Sequence, residues 1–428
     1  MQLNGKRLLV LGGTSASLDI VKNARQMGVY TIATDDQPYG VAKEAADEAA
    51  FVSTTDFDGL SALIKEKHID GVFCGPSEFN IRNLLILCER EGLPCYTNTA
   101  IWNRCANKDE FKAYCRQYGV DTPEEYTITA DTTDEELDRI DYPIILKPVD
   151  GCSSKGISVC RNKEDVRRAY KVAMDASTCK RIVAEKFIEN DGELFGVRYL
   201  LRDGEAVPYF IMDTYVTDPT GETTPISAFT YAPSKYAAYY MEHMDQNVRR
   251  MLKGMGLRNG TAFFQSLPYK GKIYFHEMGY RLSGGMLFKL TEPMVGVNDM
   301  KLMIRYALGE PMYTDDEVKN IDLMHMKGVG AQLMLPLTVG TIGKIEGLDA
   351  VLALPCVTDF IQYYHAGDTL KPEHMGTLSQ HFGRLSLLAD REEEILDAVR
   401  FVNDTLVVTD TDGKRMNVML FDPQRTKR

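Results

Sequence analysis

The stretch from Gly260 to Gly285, GTAFFQSLPYKGKIYFHEMGYRLSGG, constrains the fold most, because its alternation reads as a β-hairpin with polar groups set on an apolar face. By the period of two, Phe263, Gln265 and Leu267 share one face of the first strand, and Ile273, Phe275 and Glu277 share one face of the second. Lys270, Gly271 and Lys272 supply the turn. A three-residue loop centred on Gly271 sets Gln265 opposite Glu277, whereas a two-residue loop slips the register by one and parts them. Side by side, an amide oxygen and a carboxylate suit a hard cation such as Mg²⁺, which takes few protein ligands and leaves its other positions to phosphate oxygens and water. The plainer reading of one Glu on such a strand is a sheet with a solvated face. Arg281 follows four residues after the Glu, ahead of a Ser-Gly-Gly turn where backbone can approach a ligand closely.

At 428 residues the chain is too long for one ordinary core, and two to four units are expected. Lys plus Arg number 49 against 61 Asp plus Glu, and the resulting net charge of -12 opposes binding to nucleic acid or anionic lipid through the overall field. The N-terminal MQLNGKRLLVLGG is too short in apolar residues for a secretory leader, and no run approaches a membrane span, so a cytoplasmic location is expected. Nine scattered cysteines without a CxxC pair read as small buried hydrophobes rather than zinc ligands or a disulfide framework. No nucleophile elbow is present, so covalent enzyme catalysis is not indicated.

The first hundred residues alternate strand and helix. Arg7–Leu11 is a strand, a helix with Leu18, Val21, Ala24 and Met27 on one stripe follows, and Tyr30–Thr34 is the next strand. A further helix around residues 59–67 and a strand at 71–74 continue a βαβ pattern with a parallel sheet. Gly12-Gly13, with Asp35 downstream, invites a dinucleotide reading, but GGTSAS lacks the third glycine of that fingerprint. Asn107-Lys-Asp-Glu110 has the form of a capping box opening a helix that Gly119 ends. Residues 142–148 form an apolar strand closed by Lys147, and the small-residue loop 150–156, with Ser153 and Ser154, reads equally as a phosphate-facing loop or a solvated turn. Arg181–Ile188 is another strand. Residues 241–255 read as one helix with Met241, Met244, Val248, Met251 and Met255 inward, most simply as core. Beyond about residue 310 the pattern is that of a separate α+β cap. The segment Tyr231–Lys235 is placed either in an acceptor region or in an exposed loop.

This ordered set resembles the ATP-grasp superfamily, in the branch of biotin carboxylase, the purine-pathway carboxylases and the L-amino acid ligases. The resemblance spans the chain and implies a Rossmann-like α/β domain at 1–105, an ATP-grasp domain at 106–310 with lobes of about 106–190 and 191–310, and an α+β cap at 311–428. Lys108 and Lys147 match the lysines that contact ATP phosphates, with Ser153 and Ser154 in the mobile loop between strands. Glu185, Lys186, Phe187 and Ile188 resemble the hinge that reads adenine, the Glu through its carboxylate, and Glu193 is similar to the acid that receives the ribose hydroxyls. Gln265 and Glu277 fall where the family binds Mg²⁺, with Mn²⁺ as a substitute, and Arg281 matches the arginine facing the phosphorylated carboxyl group. Here Gly279 stands where the family pattern Glu-x-Asn-x-Arg has Asn, and Gln265 replaces the commoner acid.

The implied reaction is ATP-dependent activation of a small-molecule carboxylate as an acyl phosphate, for attack by an amine or similar nucleophile. Arg281 and Lys147 are the implied catalytic residues. The alternatives are a bicarbonate-using carboxylase and a catalytically degenerate ATP-binding regulatory module. A homodimer is among the assemblies open to such a chain.

Overall fold

The computed structural model describes residues 3–149, 156–217, 225–418 and 420–426. Its N-terminal sheet has the order β3-β2-β1-β4, from β1 (Arg7–Leu11), β2 (Tyr30–Thr34), β3 (Glu48–Ala50) and β4 (Gly71–Phe73), and all three pairings are parallel. The helix Ser15–Gln26 connects the first two strands, ending at Met27 with Gly28 in the left-handed region. Burial on both faces explains why β1 reads as an unbroken apolar run. Asp35, the residue that invited a dinucleotide reading, is instead ion-paired to buried Lys43 at 2.5 Å and lies against Gly13.

A second, antiparallel sheet follows, built from β5 (Glu125–Tyr126), β6 (Ile144–Pro148), β7 (Ser158–Cys160) and β8 (Ile182–Lys186) in the order β5-β8-β6-β7. The helix Lys108–Tyr118 introduces this unit. Asn107 caps it by accepting from the amides of Asp109 and Glu110, and Gly119 closes it in the left-handed conformation that a residue without Cβ adopts freely.

The largest sheet has eight strands. Its members in chain order are β9 (Glu193–Arg202), β10 (Glu205–Val216), β11 (Ser227–Ala232), β12 (Gly260–Tyr269), β13 (Lys272–Gly279) and β14 (Val329–Pro336). After β15 (Gly340–Glu346), the strand β16 (Val357–Gln362) and, past β17 (Thr369–Leu370), the strand β18 (His381–Ala389) complete it. The order is β13-β12-β9-β10-β11-β14-β18-β16, so the strands after residue 310 continue the sheet that carries the hairpin. A three-stranded sheet, β17-β15-β19 with β19 at Val407–Asp410, and the helix Glu392–Thr405 complete the C-terminal part. Ala331, Leu333, Leu335, Phe382, Leu385 and Leu387 turn one face of β14 and β18 into this second core.

Two expectations are corrected. The segment 241–255 is two helices, Ala237–His243 and Asp245–Gly254, broken at Met244; Met244, Val248, Met251 and Met255 are buried, while Met241 is only half-buried. Ile273 and Phe275 do not share a face with Glu277: both are buried, whereas Glu277 is exposed. The cause is a bulge described next.

Candidate active site

Gln265 and Glu277 are register partners on β12 and β13, and both are exposed. The route to that pairing differs from the expected three-residue loop. Tyr269 pairs with Lys272, leaving a two-residue turn in which Lys270 (φ 47) and Gly271 (φ 76) both adopt the positive φ that such turns require. That turn alone would set Gln265 opposite His276. The register then shifts by one, because Ser266 pairs with Phe275 and Gln265 with Glu277, and His276 is left as the extra residue of a β-bulge. The bulge turns Glu277 onto the face of Gln265 and leaves Ile273 and Phe275 in the core.

His276 faces the other half of the site. It is half-buried, its Nδ1 lacks a hydrogen-bond partner, and burial together with the nearby Lys147 ammonium holds its imidazole down at about 3, hence neutral. Lys112, Lys108 and Glu185 also lie within its electrostatic reach. β13 is the edge of the large sheet, and the Phe275 amide donates to the Asp121 carbonyl at 2.8 Å, tying that edge to the segment following the Lys108–Tyr118 helix.

In the lysine cluster, Glu185 is 3% exposed and ion-paired to both Lys147 and Lys112. Burial pushes its carboxyl up, but the two ammonium groups outweigh burial and hold it down at about 2. Lys112, fully buried, also meets Glu125 at 3.0 Å. Lys108 Nζ reaches the Val149 carbonyl at 3.4 Å, at the foot of the glycine- and serine-containing loop. Ser153 and Ser154 lie outside the described residues. The Glu185 carboxylate, expected to read a base, is engaged here by the two lysines. Of the hinge residues, Lys186 pairs with Asp141 at 2.7 Å, the Phe187 amide donates to the Pro143 carbonyl, and the Ile188 side chain is buried. Glu193 is held by Lys235 at 2.7 Å and by the Tyr236 hydroxyl at 3.2 Å. Within the Tyr231–Lys235 segment, Ser234 and the Lys235 amide bind the buried Asp213 carboxylate.

Arg281 closes the far end. Its Nη2 donates to Glu78 Oε1 at 2.9 Å, Nη1 donates to the Leu282 carbonyl, and the guanidinium lies 5.2 Å from the Phe263 ring centroid. The turn after it is gripped from the C-terminal strands, where Arg384 donates to the Gly284 carbonyl and Gln332 to that of Gly285. Tyr96 and Tyr280 donate to each other's carbonyls, joining the N-terminal part to the end of β13.

Among the described residues no three His, Cys, Asp or Glu side chains come together as a metal site. The donors at Gln265 and Glu277 are oxygens, which suits Mg²⁺ or Mn²⁺, and there are too few of them to complete a coordination sphere without phosphate or water. Lys112, Glu78, Arg198 and Phe263 were invisible to sequence reasoning as site residues. A lysine four residues along a helix from Lys108 reads as a solvated face, and nothing local marks it as fully buried.

The fold is the ATP-grasp fold, and residues 107–314 match the carbamoyl-phosphate synthase L chain, ATP binding domain. The chain is 25% identical over 390 residues, 87% of its length and 91% of the relative's, to a formate-dependent phosphoribosylglycinamide formyltransferase of Sulfurisphaera tokodaii. It is 23% identical over 360 residues to the Bacillus subtilis protein of the same description, covering 82% of this chain and 87% of that one. Among solved structures it is similar to an L-amino acid ligase from Bacillus licheniformis, with TM-score 0.77, 21% identity and coverage of 95% and 99%. A biotin carboxylase domain of the Hydrogenobacter thermophilus 2-oxoglutarate carboxylase, in complex with MgADP and bicarbonate, gives TM-score 0.73 at 19% identity, covering 96% and 91%.

Proposed function

We propose that this chain is an ADP-forming carboxylate–amine ligase that activates a small-molecule carboxylate with ATP. The observation that carries the reading is the register pair Gln265–Glu277, on a strand whose bulged edge faces the cluster of Lys108, Lys112, Lys147 and Glu185. It draws support from relatives described as formate-dependent formyltransferases and from structural neighbours described as an L-amino acid ligase and biotin carboxylases.

In this reading Lys108 and Lys147 receive the nucleotide phosphates as point charges on flexible stems. The main chain at 186–188 and the Ile188 side chain accommodate the base, and Glu193 the ribose. Gln265 and Glu277 hold Mg²⁺ or Mn²⁺, which supplies charge compensation on the phosphoryl oxygens. Arg281 binds the substrate carboxylate through its planar fork, which requires it to exchange Glu78 for the substrate. A carboxylate oxygen attacks the γ-phosphoryl group, giving an acyl phosphate and ADP. The amine then displaces phosphate, a leaving group far better than oxide. Lysine and arginine charges offset the negative charge that builds on the transferring group.

In this reading residues 1–105, 106–310 and 311–428 are three segments in chain order, the last joined to the second through the shared eight-stranded sheet, and a homodimer acting in the cytoplasm is the assembly and place we assign to it. Among the described residues no helix is long and apolar enough to cross a membrane. The test is a phosphate-release screen with Mg-ATP over formate, amino acids, hydroxy acids and sugar acids, each with and without amines. Release that depends on one carboxylate is the expected outcome; release that ignores every carboxylate and amine would overturn the assignment.

A further inference from the structure

The rung next to Gln265–Glu277 on the same face is Phe263–Gly279, two residues along each strand and buried. Neither residue offers a ligand atom. A Cβ at Gly279 would overlap the Phe263 ring, so the ring fills the space a side chain there would occupy. Gly279 has an ordinary backbone conformation, so the lack of room, and not φ, is what excludes a larger residue.

The ring is also flanked by two cations. The Arg198 guanidinium lies 5.4 Å from its centroid and that of Arg281 lies 5.2 Å away. Arg198 is 4% exposed and its Nε has no hydrogen-bond partner, so its charge is poorly screened by water. An aromatic face attracts guanidinium groups, and two of them beside one ring make that rung hostile to a divalent cation.

We propose that Phe263 determines how many divalent cations this chain holds: one, at Gln265 and Glu277, while Arg281 supplies the positive charge at the next rung. The inference rests on the reading of Gln265 and Glu277 as the metal-holding pair. Phe263 acts by position, through the space it fills and the guanidinium it seats. It follows that the substrate carboxylate meets an arginine fork and an aromatic edge at that rung, where a metal-lined site would meet it with a second ion.

The experiment counts bound Mn²⁺ by electron paramagnetic resonance, using the full chain saturated with a non-hydrolysable ATP analogue and titrated with Mn²⁺. One Mn²⁺ per nucleotide-bound chain is expected. The double variant Phe263→Ala with Gly279→Asn should bind two, because it opens the rung and adds an amide ligand. Phe263→Ala alone should not raise the count, since it opens the rung without adding a ligand atom. Two ions on the unmodified protein, or a single ion on the folded double variant, would overturn the proposal. If the double variant does not fold, Phe263→Ala with Gly279→Ser, a smaller insertion at the same place, is the second variant and should again bind two. Nucleotide binding is read in the same samples by fluorescence of a labelled analogue, so failure to bind ATP at all would strike the functional reading and is distinguishable from a count of two.

Discussion

The buried lysine–glutamate cluster and the exposed Gln265–Glu277 pair, the latter next in sequence to the His276 that the cluster reaches, handle charge in opposite ways. At Glu185 both carboxylate oxygens are engaged by ammonium groups inside the protein, and water is excluded. At Glu277 the carboxylate is exposed beside an amide, and no ion pair with another side chain is found for it among the described residues. A satisfied buried network contributes to stability and fixes geometry, whereas exposed oxygen donors with incomplete partners await something from solution. The difference separates residues that set up the site from residues that meet its ligands. Lys147 lies in the network and, in the proposed reading, would also reach phosphate.

That contrast breaks first at Glu185. Glu185→Gln leaves Lys112 and Lys147 buried with reduced compensation, and loss of one partner of a buried pair typically costs about 3–5 kcal/mol. Chemical denaturation should show a loss of that order. The sign of the pH effect follows from the depressed carboxyl: its contribution is fully present above the ordinary value of 4.5 and disappears as pH falls through about 2. The depression corresponds to roughly 3 kcal/mol. Melting temperature should therefore decline across that acid window in the unmodified protein, and Glu185→Gln should lack this component. Equal melting of the two proteins at pH 7 would contradict the assignment.

Glu277→Ala should do the reverse. Stability should change by no more than about 0.5 kcal/mol, as for an exposed side chain outside any network. Turnover should fall a hundredfold or more, the effect of losing about 3 kcal/mol of charge stabilisation in the transition state. Phosphate release within a few-fold of the parent would show that the pair is not the reacting centre.

Ligand binding sharpens the same comparison at smaller scale. Mg-ATP at a hundred times its Kd should stabilise the fold by roughly 2.7 kcal/mol in a thermal-shift titration, and NADP should not. Gln265→Glu adds a charged oxygen to the open pair and should tighten Mg²⁺ binding roughly tenfold, about 1.4 kcal/mol. Isothermal titration would measure this, and unchanged affinity would remove Gln265 from the metal's surroundings.

The two regions were unequally legible in the sequence. The alternation in Gly260–Gly285 led to the Gln265–Glu277 pairing, yet by the wrong path, because a two-residue turn and a bulge at His276 together give the register that a three-residue loop would have given. Periodicity cannot locate a bulge, and so it misplaced Ile273 and Phe275. Lys147 and Glu185 were recognisable by their places on strands, but their contact is not, since it joins β6 to β8 through pairing that leaves no local trace. Lys112 was unread for the same reason. At Gly279 the family resemblance implied a missing ligand, while the Phe263 ring that fills its place was not foreseen, because an aromatic residue on a strand reads as core. β1, β2 and β4 were placed well in the N-terminal part, most clearly β1, which burial on both faces makes an apolar run, while the short β3, EAA, carries no such signal and was not anticipated.

The most direct test of carboxylate activation follows oxygen. A carboxylate that stimulates phosphate release in the screen is labelled with ¹⁸O in its carboxyl group, and the phosphate formed is analysed by mass spectrometry. Attack of a carboxylate oxygen on the γ-phosphoryl group, followed by displacement at the acyl carbon, leaves one ¹⁸O in each phosphate released. Unlabelled phosphate would mean that water, not the carboxylate, took the phosphoryl group, and would contradict the proposed chemistry at its first step.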